Sequence, residues 1–241
     1  VYRSICRKVA CVTTLRDYAR RHGLPVHAIA PPSYCFFPSR PALHEYSELE
    51  EAFSWFASRG EFVWIVKPSD GGKGKKILVM SSLDQILDHM ESLPPGSVPW
   101  VVQKYIERPL LLAGQRKFDV RCWVAITHDE RILLYRQGVL RTGSVPFSLD
   151  NLEDDFVHLS NHCIQATHPG YGRYEPTNEM FYAEFDAFLR RLSLRTQDGE
   201  PATLDTVILP QIRYLVYHCC RAMGERLPSG SPTDLGYSCF Q

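Results

Sequence analysis

The sequence predicts an α+β protein, because helical and strand periodicities come in blocks and not as a regular strand–helix alternation. Apolar residues recur at helical spacing near both ends of the chain. The middle carries alternating residues and a hairpin pattern.

The elements follow in order. Ile5, Val9, Val12, Leu15 and Ala19 share one helical face between Ile5 and His22, and Gly23 and Pro25 stop that helix. The Pro-rich stretch Pro31–Pro41 reads as a loop or extended connector. Leu49, Phe53 and Phe56 define a second helix from Glu45 to Ser58, and Phe62–Val66 reads as an aromatic and β-branched strand. Pro68–Lys75 is a Gly/Lys loop, followed by a short strand Lys76–Met80. Leu83, Ile86, Leu87 and Met90 predict a helix over Leu83–Leu93, which Pro94-Pro95-Gly96 ends. Trp100–Ile106 is another strand. Lys117–Thr127 alternates as one strand, with Arg131–Arg136 as its hairpin partner across the polar turn His128-Asp129-Glu130. Helices are predicted over Asn178–Leu192 and Leu204–Arg226, with Pro210 interrupting the second or sitting near its start.

Composition narrows the function classes. The chain has 241 residues, 44% of them hydrophobic, which argues against long disorder. Its 27 Lys+Arg balance 27 Asp+Glu, so it is no whole-surface nucleic-acid binder. The zero is a cancellation: Val1–Leu43 has a surplus of six basic residues, Gln103–Arg141 of four, and Ser148–Ala187 has a surplus of seven acids. No apolar run reaches the ~18 residues of a membrane helix. The eight cysteines form no CxxC pair, so they read as scattered free thiols of a reducing compartment, the cytosol. The start at Val1 and the stop at Gln241 on an apolar run suggest a piece of a longer protein.

Four segments carry candidate chemistry. In Trp64-Ile-Val-Lys67-Pro-Ser69-Asp-Gly71-Gly72-Lys73-Gly74-Lys75-Lys76, a strand delivers a lysine into a glycine loop. Glycines let backbone N–H groups approach an anion, and lysines neutralise it. No GxxxxGK[ST] pattern occurs, so this is not a Walker A loop. The alternative is a solvated basic hairpin. Gln103-Lys104-Tyr105-Ile106 could present backbone groups to an adenine edge, or be an ordinary strand end. Lys117, Asp119 and Arg121 share one strand face, opposite Phe118, Val120 and Cys122, and Arg141 follows in Tyr135–Thr142. Such a row binds phosphate and carboxylate if it lines a cleft, and is bland if it faces solvent. In His158-Leu-Ser160-Asn161-His162-Cys163-Ile-Gln165, Ser160 and Asn161 could donate to an anion. His158 and His162 have metal spacing without the carboxylate of an HExxH pattern, so structural histidines are the stronger reading.

Together and in this order, these segments resemble the tubulin–tyrosine ligase family of the ATP-grasp superfamily. Cys6-Arg-Lys8 and Tyr171-Gly-Arg-Tyr-Glu175 with Asn178-Glu-Met-Phe181 add to the likeness, which covers Val1 to about Phe188 and loosens toward Tyr237–Gln241. The segments Leu134–Arg141 and His158–Gln165 look more like the tyrosine-adding branch than the glutamylating or glycylating ones. The resemblance implies two α+β lobes with a nucleotide between them: a central domain, residues 1–103, and an incomplete C-terminal domain, residues 104–241. It implies ATP, Mg2+ and free tyrosine as reactants, and the C-terminal tail of α-tubulin in the αβ-tubulin dimer as partner. It implies no nucleic acid, no membrane, and action as a monomer. By position, Lys8 and Lys67 would contact ATP phosphates, with Ser69, Gly71, Gly72 and Gly74 in the loop. Gln103, Lys104, Tyr105 and Ile106 would bind adenine, and Lys117 and Asp119 would line the pocket. Arg121 would hold the acceptor carboxylate, Arg141 the transferred phosphoryl, and Ser160 and Asn161 would complete the wall. No metal ligand is assigned, since the family's magnesium carboxylates lie beyond a segment like Phe240-Gln241, and the piece alone is expected to be inactive. The alternatives are a polyglutamylase or glycylase of the same family, or a tubulin-tail binding module without catalysis.

Overall fold

In the computed structural model the described residues are 6–127, 129 and 131–226, with the backbone of 237–240. The chain forms two compact units: Val1–Pro109 with Leu149–Asp154, and Leu110–Ser148 with Asp155–Gln241. No helix among the described residues is long and apolar enough to cross a membrane.

The first unit runs helix α1 (Lys8–Arg21), strand β1 (Ser33–Phe36), helix α2 (Tyr46–Ala57), strands β2 (Trp64–Pro68) and β3 (Leu78–Met80), helix α3 (Leu83–Glu91) and strand β4 (Trp100–Lys104). Its antiparallel sheet has the order β1-β4-β2-β3. Alternation gives the sheet two different faces. Phe36, Trp64, Val66, Trp100 and Val102 pack against Leu49 of α2 and Ile86 and Met90 of α3, all nearly inaccessible. The other face meets α1, which packs on β1 and β4. The Pro-rich connector expected over Pro31–Pro41 contains β1, whose four residues pair with β4 from Ser33↔Gln103 to Phe36↔Trp100. A strand that short is defined by its distant partner and not by its own pattern.

The second unit contains β5 (Arg116–Arg121), β6 (Val124–Thr127), β7 (Ile132–Leu134), β8 (Val139–Pro146), short helices α4 (Asp155–His158) and α5 (His162–Gln165), β9 (Glu179–Phe181), α6 (Tyr182–Leu192), α7 (Leu209–Gly224) and β10 (Tyr237–Phe240). Two three-stranded sheets form, β5-β8-β9 and β10-β6-β7. The single strand expected over Lys117–Thr127 is therefore two. It breaks at Cys122-Trp123, and its halves enter different sheets although the alternation continues through the break. Residues 124–127 do pair with the expected hairpin partner; His128 and Glu130 of the turn lie outside the described residues. The helix expected from Asn178 begins only at Tyr182, after β9 pairs with β8. Pro210 sits in the first turn of α7, where its missing N–H costs nothing, after a π-helical turn Leu204–Ile208. The core gathers Leu112, Leu140, Tyr182, Phe185, Phe188, Leu189 and Leu204.

Between Arg116↔Pro146 and Phe118↔Thr142 the register of β5 and β8 shifts by a bulge. Gly143 sits there, and a Cβ on it would lie 3.3 Å from the carbonyl oxygen of Lys117. The bulge leaves Asp119 directly opposite Arg141.

Candidate functional site

In the first unit α1 delivers Lys8 to the glycine loop. The Lys8 backbone N–H donates to the Ser69 carbonyl at 3.1 Å, and the Val9 N–H to Ser69 Oγ at 3.2 Å. Lys8 Nζ donates to the carbonyls of Pro68, at 2.9 Å, and Gly71. Burial lowers the Lys8 ammonium, and the charge of Asp70 acts in the opposite direction. Lys67 Nζ donates to Gln103 Oε1 at 2.7 Å, and Gln103 Nε2 passes on to Ser33 Oγ at 2.8 Å. These acceptors are neutral oxygens, which fix the ammonium groups in place. Lys8, Lys67, Val101 and Gln103 line one cavity of about 190 Å³.

The loop does connect two antiparallel strands, as its sequence suggested. Gly71 is sterically required: a Cβ there would lie 2.7 Å from Pro68 Cγ and 3.3 Å from the Lys75 carbonyl. Gly74 has φ +78°, in the left-handed region that favours glycine. Gly72 faces open space. Of the segment Gln103–Ile106, the side chain of Lys104 is buried on Glu107 and on the Val63 carbonyl at 2.8 Å. Its ammonium is thus committed within the unit. Tyr105 is buried, which raises its hydroxyl, and Ile106 is exposed.

In the second unit the row on β5 meets β8 and the α4–α5 segment. Arg141 Nε and one terminal nitrogen each donate to Asp119 at 2.8 Å. That uses two of the five N–H donors of a guanidinium. Ser160 Oγ also donates to Asp119. Lys117 Nζ donates to the His158 carbonyl at 2.7 Å. Burial pushes the Lys117 ammonium down to about 8, against the charge of Asp119. Lys117, Asp119, Arg141 and Ser160 are thus brought together. Arg121 lies further along β5, opposite Val139, and Asn161 caps α5 through its carbonyl and not its side chain. His158 is buried against Phe147, while His162 contacts Tyr171, so the two histidines face different surroundings. Among the described residues no group of three His, Cys, Asp or Glu could hold a metal ion. Among the free thiols Cys35 is buried, and Cys6 and Cys163 are exposed.

One network behind this cluster carried no role in the sequence reading. Arg116, 2% exposed, grips Glu175 with both terminal nitrogens, at 2.8 and 2.6 Å, and stacks over Tyr174 at 3.9 Å. Thr142, next to Arg141, donates to Glu175 Oε2 at 2.9 Å. Asn178 Nδ2 donates to the Thr142 carbonyl at 2.8 Å and to Ser144 Oγ at 2.9 Å. Gln165, buried at 1% exposure, accepts from the Ser144 N–H and donates to the Phe156 and Leu159 carbonyls. Burial alone would raise the Glu175 carboxyl, but the hydrogen bonds from Arg116 and Thr142 and the Arg116 charge hold it below its ordinary value. The available signal was a Glu and an Asn in a segment with two glycines and a proline, Gly170–Asn178, downstream of a strand opening with Arg.

Cations on carbonyl and amide oxygens beside a glycine loop, and an Arg/Asp/Lys cluster on a sheet face, are arrangements whose chemistry suits phosphate and carboxylate groups. The chain belongs to the tubulin-tyrosine ligase family, whose pattern matches residues 2–240. It is 36% identical over 167 residues to human tubulin monoglycylase TTLL3, covering 65% of this chain and 20% of that protein. It is 38% identical over 170 residues to tubulin glycylase 3A of Drosophila melanogaster, covering 68% of this chain and 16% of that protein. It is 33% identical over 141 residues to the probable tubulin polyglutamylase ttll-9 of Caenorhabditis elegans, covering 56% and 33%. The chain thus spans a fifth or less of the two glycylases.

Proposed function

We propose that this chain supplies the ATP-dependent core of a ligase that joins an amino acid to a carboxylate of a tubulin tail. Its two units are, on this reading, the lobes of an ATP-grasp fold. ATP transfers its terminal phosphoryl to the tail carboxylate, giving an acyl phosphate and ADP. The amine of the incoming amino acid then attacks the acyl carbon, forming an amide and releasing phosphate. Lys8, Lys67 and the loop of Ser69, Gly71, Gly72 and Gly74 hold the phosphates, and the backbone of Gln103–Ile106 takes the adenine. Arg141 and Lys117 stabilise the transferred charge, Arg121 holds the acceptor carboxylate, Asp119 with Ser160 orients Arg141, and Asn161 completes the polar wall. Charge placement dominates such phosphoryl transfers. Magnesium is expected in such chemistry, and no ligand cluster for it occurs among the described residues.

The observation that carries this reading is Arg141, clamped by Asp119 through two of its five N–H donors, with no partner for the other three among the described residues. The names of the relatives make glycine the first amino acid to test and glutamate the second. The likeness of Leu134–Arg141 and His158–Gln165 keeps tyrosine third. The test offers labelled glycine, glutamate and tyrosine in parallel to the protein carrying this chain, with tubulin and ATP. One amino acid is incorporated only with ATP, and Arg141→Ala lowers its rate by about a hundred-fold or more while the fold persists. Incorporation that ignores ATP, or survives Arg141→Ala unchanged, overturns the proposal.

A further inference from the structure

Ser33 carries no role in the sequence reading, where it falls in the Pro-rich connector. In the sheet it opens β1 directly opposite Gln103 of β4, and Gln103 in turn faces Ile65 of β2. Lys67 lies two residues beyond Ile65, so its side chain leaves the same side of the sheet. Ser33, Gln103 and Lys67 thus form a row across three neighbouring strands, on the side away from Phe36, Trp64, Val66 and Val102 of the core. All three line the cavity of about 190 Å³ that also receives Lys8.

The row has one polarity. An ammonium only donates, so Lys67 Nζ, 2.7 Å from Gln103 Oε1, requires the amide oxygen on its side. That turns the amide nitrogen toward Ser33 Oγ, at 2.8 Å, which must accept. Ser33 can accept there because its own proton goes to the Pro31 carbonyl, at 2.8 Å. A reversed amide would set its N–H groups against those of the ammonium, donor against donor. Ser33 is itself fixed: it is 8% exposed, and its carbonyl accepts from Arg16 at 2.6 Å. Arg16 also grips Glu45, at 2.6 and 3.0 Å, and Glu45 accepts from the Cys35 N–H at 2.8 Å. The relay therefore starts from a braced strand and ends on a cation in the cavity wall.

We propose that Ser33 is a positioning residue of the nucleotide site: by accepting from Gln103 it holds the amide oxygen toward Lys67 and so presents the Lys67 ammonium to the ATP phosphates. The inference rests on the reading of Lys67 as a phosphate ligand. Without the Ser33 hydroxyl the Gln103 amide turns more freely, and the ordering of Lys67 must then be supplied when the nucleotide binds. A threonine keeps the hydroxyl at a strand position, where a β-branched side chain fits, and its methyl has the cavity beside it.

The test titrates N-methylanthraniloyl-ATP into the protein carrying this chain and follows its fluorescence. Lys67→Met weakens binding. Ser33→Ala weakens it about 3–10-fold, the scale of one lost hydrogen bond, and Ser33→Thr restores it. Ser33→Ala on top of Lys67→Met changes little, because the residue it acts through is gone. Gln103→Met breaks the relay in the middle and weakens binding at least as much as Ser33→Ala, a result that stands even where the alanine variant unfolds. A merely structural Ser33 instead weakens binding by the same factor with and without Lys67, and threonine does not rescue it. That outcome, or unchanged binding in Ser33→Ala or Gln103→Met, overturns the relay and leaves the site standing. A parent that does not bind the analogue, or one indifferent to Lys67→Met, overturns the reading of the site and the relay with it.

Discussion

Glu175→Gln tests the network that backs β8. The substitution keeps the shape of the side chain and removes its charge. Arg116, 2% exposed, would then keep its hydrogen bonds to the Ala113 and Gly143 carbonyls but lose its counter-charge. Stripping one partner from a buried pair costs about 3–5 kcal/mol, and the retained amide oxygen puts this change near the lower end. For a chain of this size each kcal/mol moves the midpoint by about 2–4 °C, so thermal unfolding should start roughly 6–12 °C earlier. Hydrogen exchange over 139–146 should rise with it, because Thr142 and Arg116 are left with one acceptor oxygen in place of two. Arg116→Met with Glu175→Leu removes both charges, and its cost should fall about 2 kcal/mol or more short of the summed single costs. The folded carboxyl lies below its unfolded value, so its contribution is complete above about 4.3 and is lost as pH falls through the lower folded value. A loss under about 1 kcal/mol for Glu175→Gln, or strictly additive variants, would refute this account of the pair.

Other expectations concern single positions. Gly138→Ala places a Cβ 2.3 Å from the ring of buried Tyr182, so the urea midpoint should fall by the equivalent of about 1–3 kcal/mol. Lys117 titrates near 8 when folded and near 10.4 when unfolded; the unfolded chain binds more protons between those values, so stability rises with pH across that window. In the same window binding of a fluorescent ATP analogue should weaken as the ammonium is lost, and a flat affinity from pH 7 to about 9.5 would remove Lys117 from the nucleotide site. Gly71→Ala should displace the carbonyl that Lys8 grips and weaken analogue binding more than Gly72→Ala, whose added carbon meets open space.

Where one face of an element is buried and the other polar, the sequence was legible. Leu49 with Phe53 and Phe56, and Phe118 with Val120, announce α2 and β5 because burial selects one side at a fixed period. The opposite face of β5 was legible as a row of Lys117, Asp119 and Arg121, and the cluster around Asp119 draws on it. The break at Cys122-Trp123 was not, since the alternation is the same whether one sheet or two receive the strand. β1 and β8 escaped for a related reason. Ser33–Phe36 and the bulged strand through Gly143 are set by partners far along the chain. The Arg116–Glu175 pair joins residues 59 apart, and no local period reports such a distance.

The pairing of β1 with β4 also dictates an order of assembly. Ser33 leaves the ribosome 70 residues ahead of Gln103, the partner of both its backbone and its side chain. In that interval the β2–β3 hairpin and its glycine loop can close on themselves, since their contacts are local. The relay from Lys67 through Gln103 to Ser33 forms only when β4 slots between β1 and β2. The last strand of the sheet to be synthesised is thus the one that completes the relay, and a nascent chain stalled before Trp100 would hold Lys8 on the loop without the Gln103 partner of Lys67.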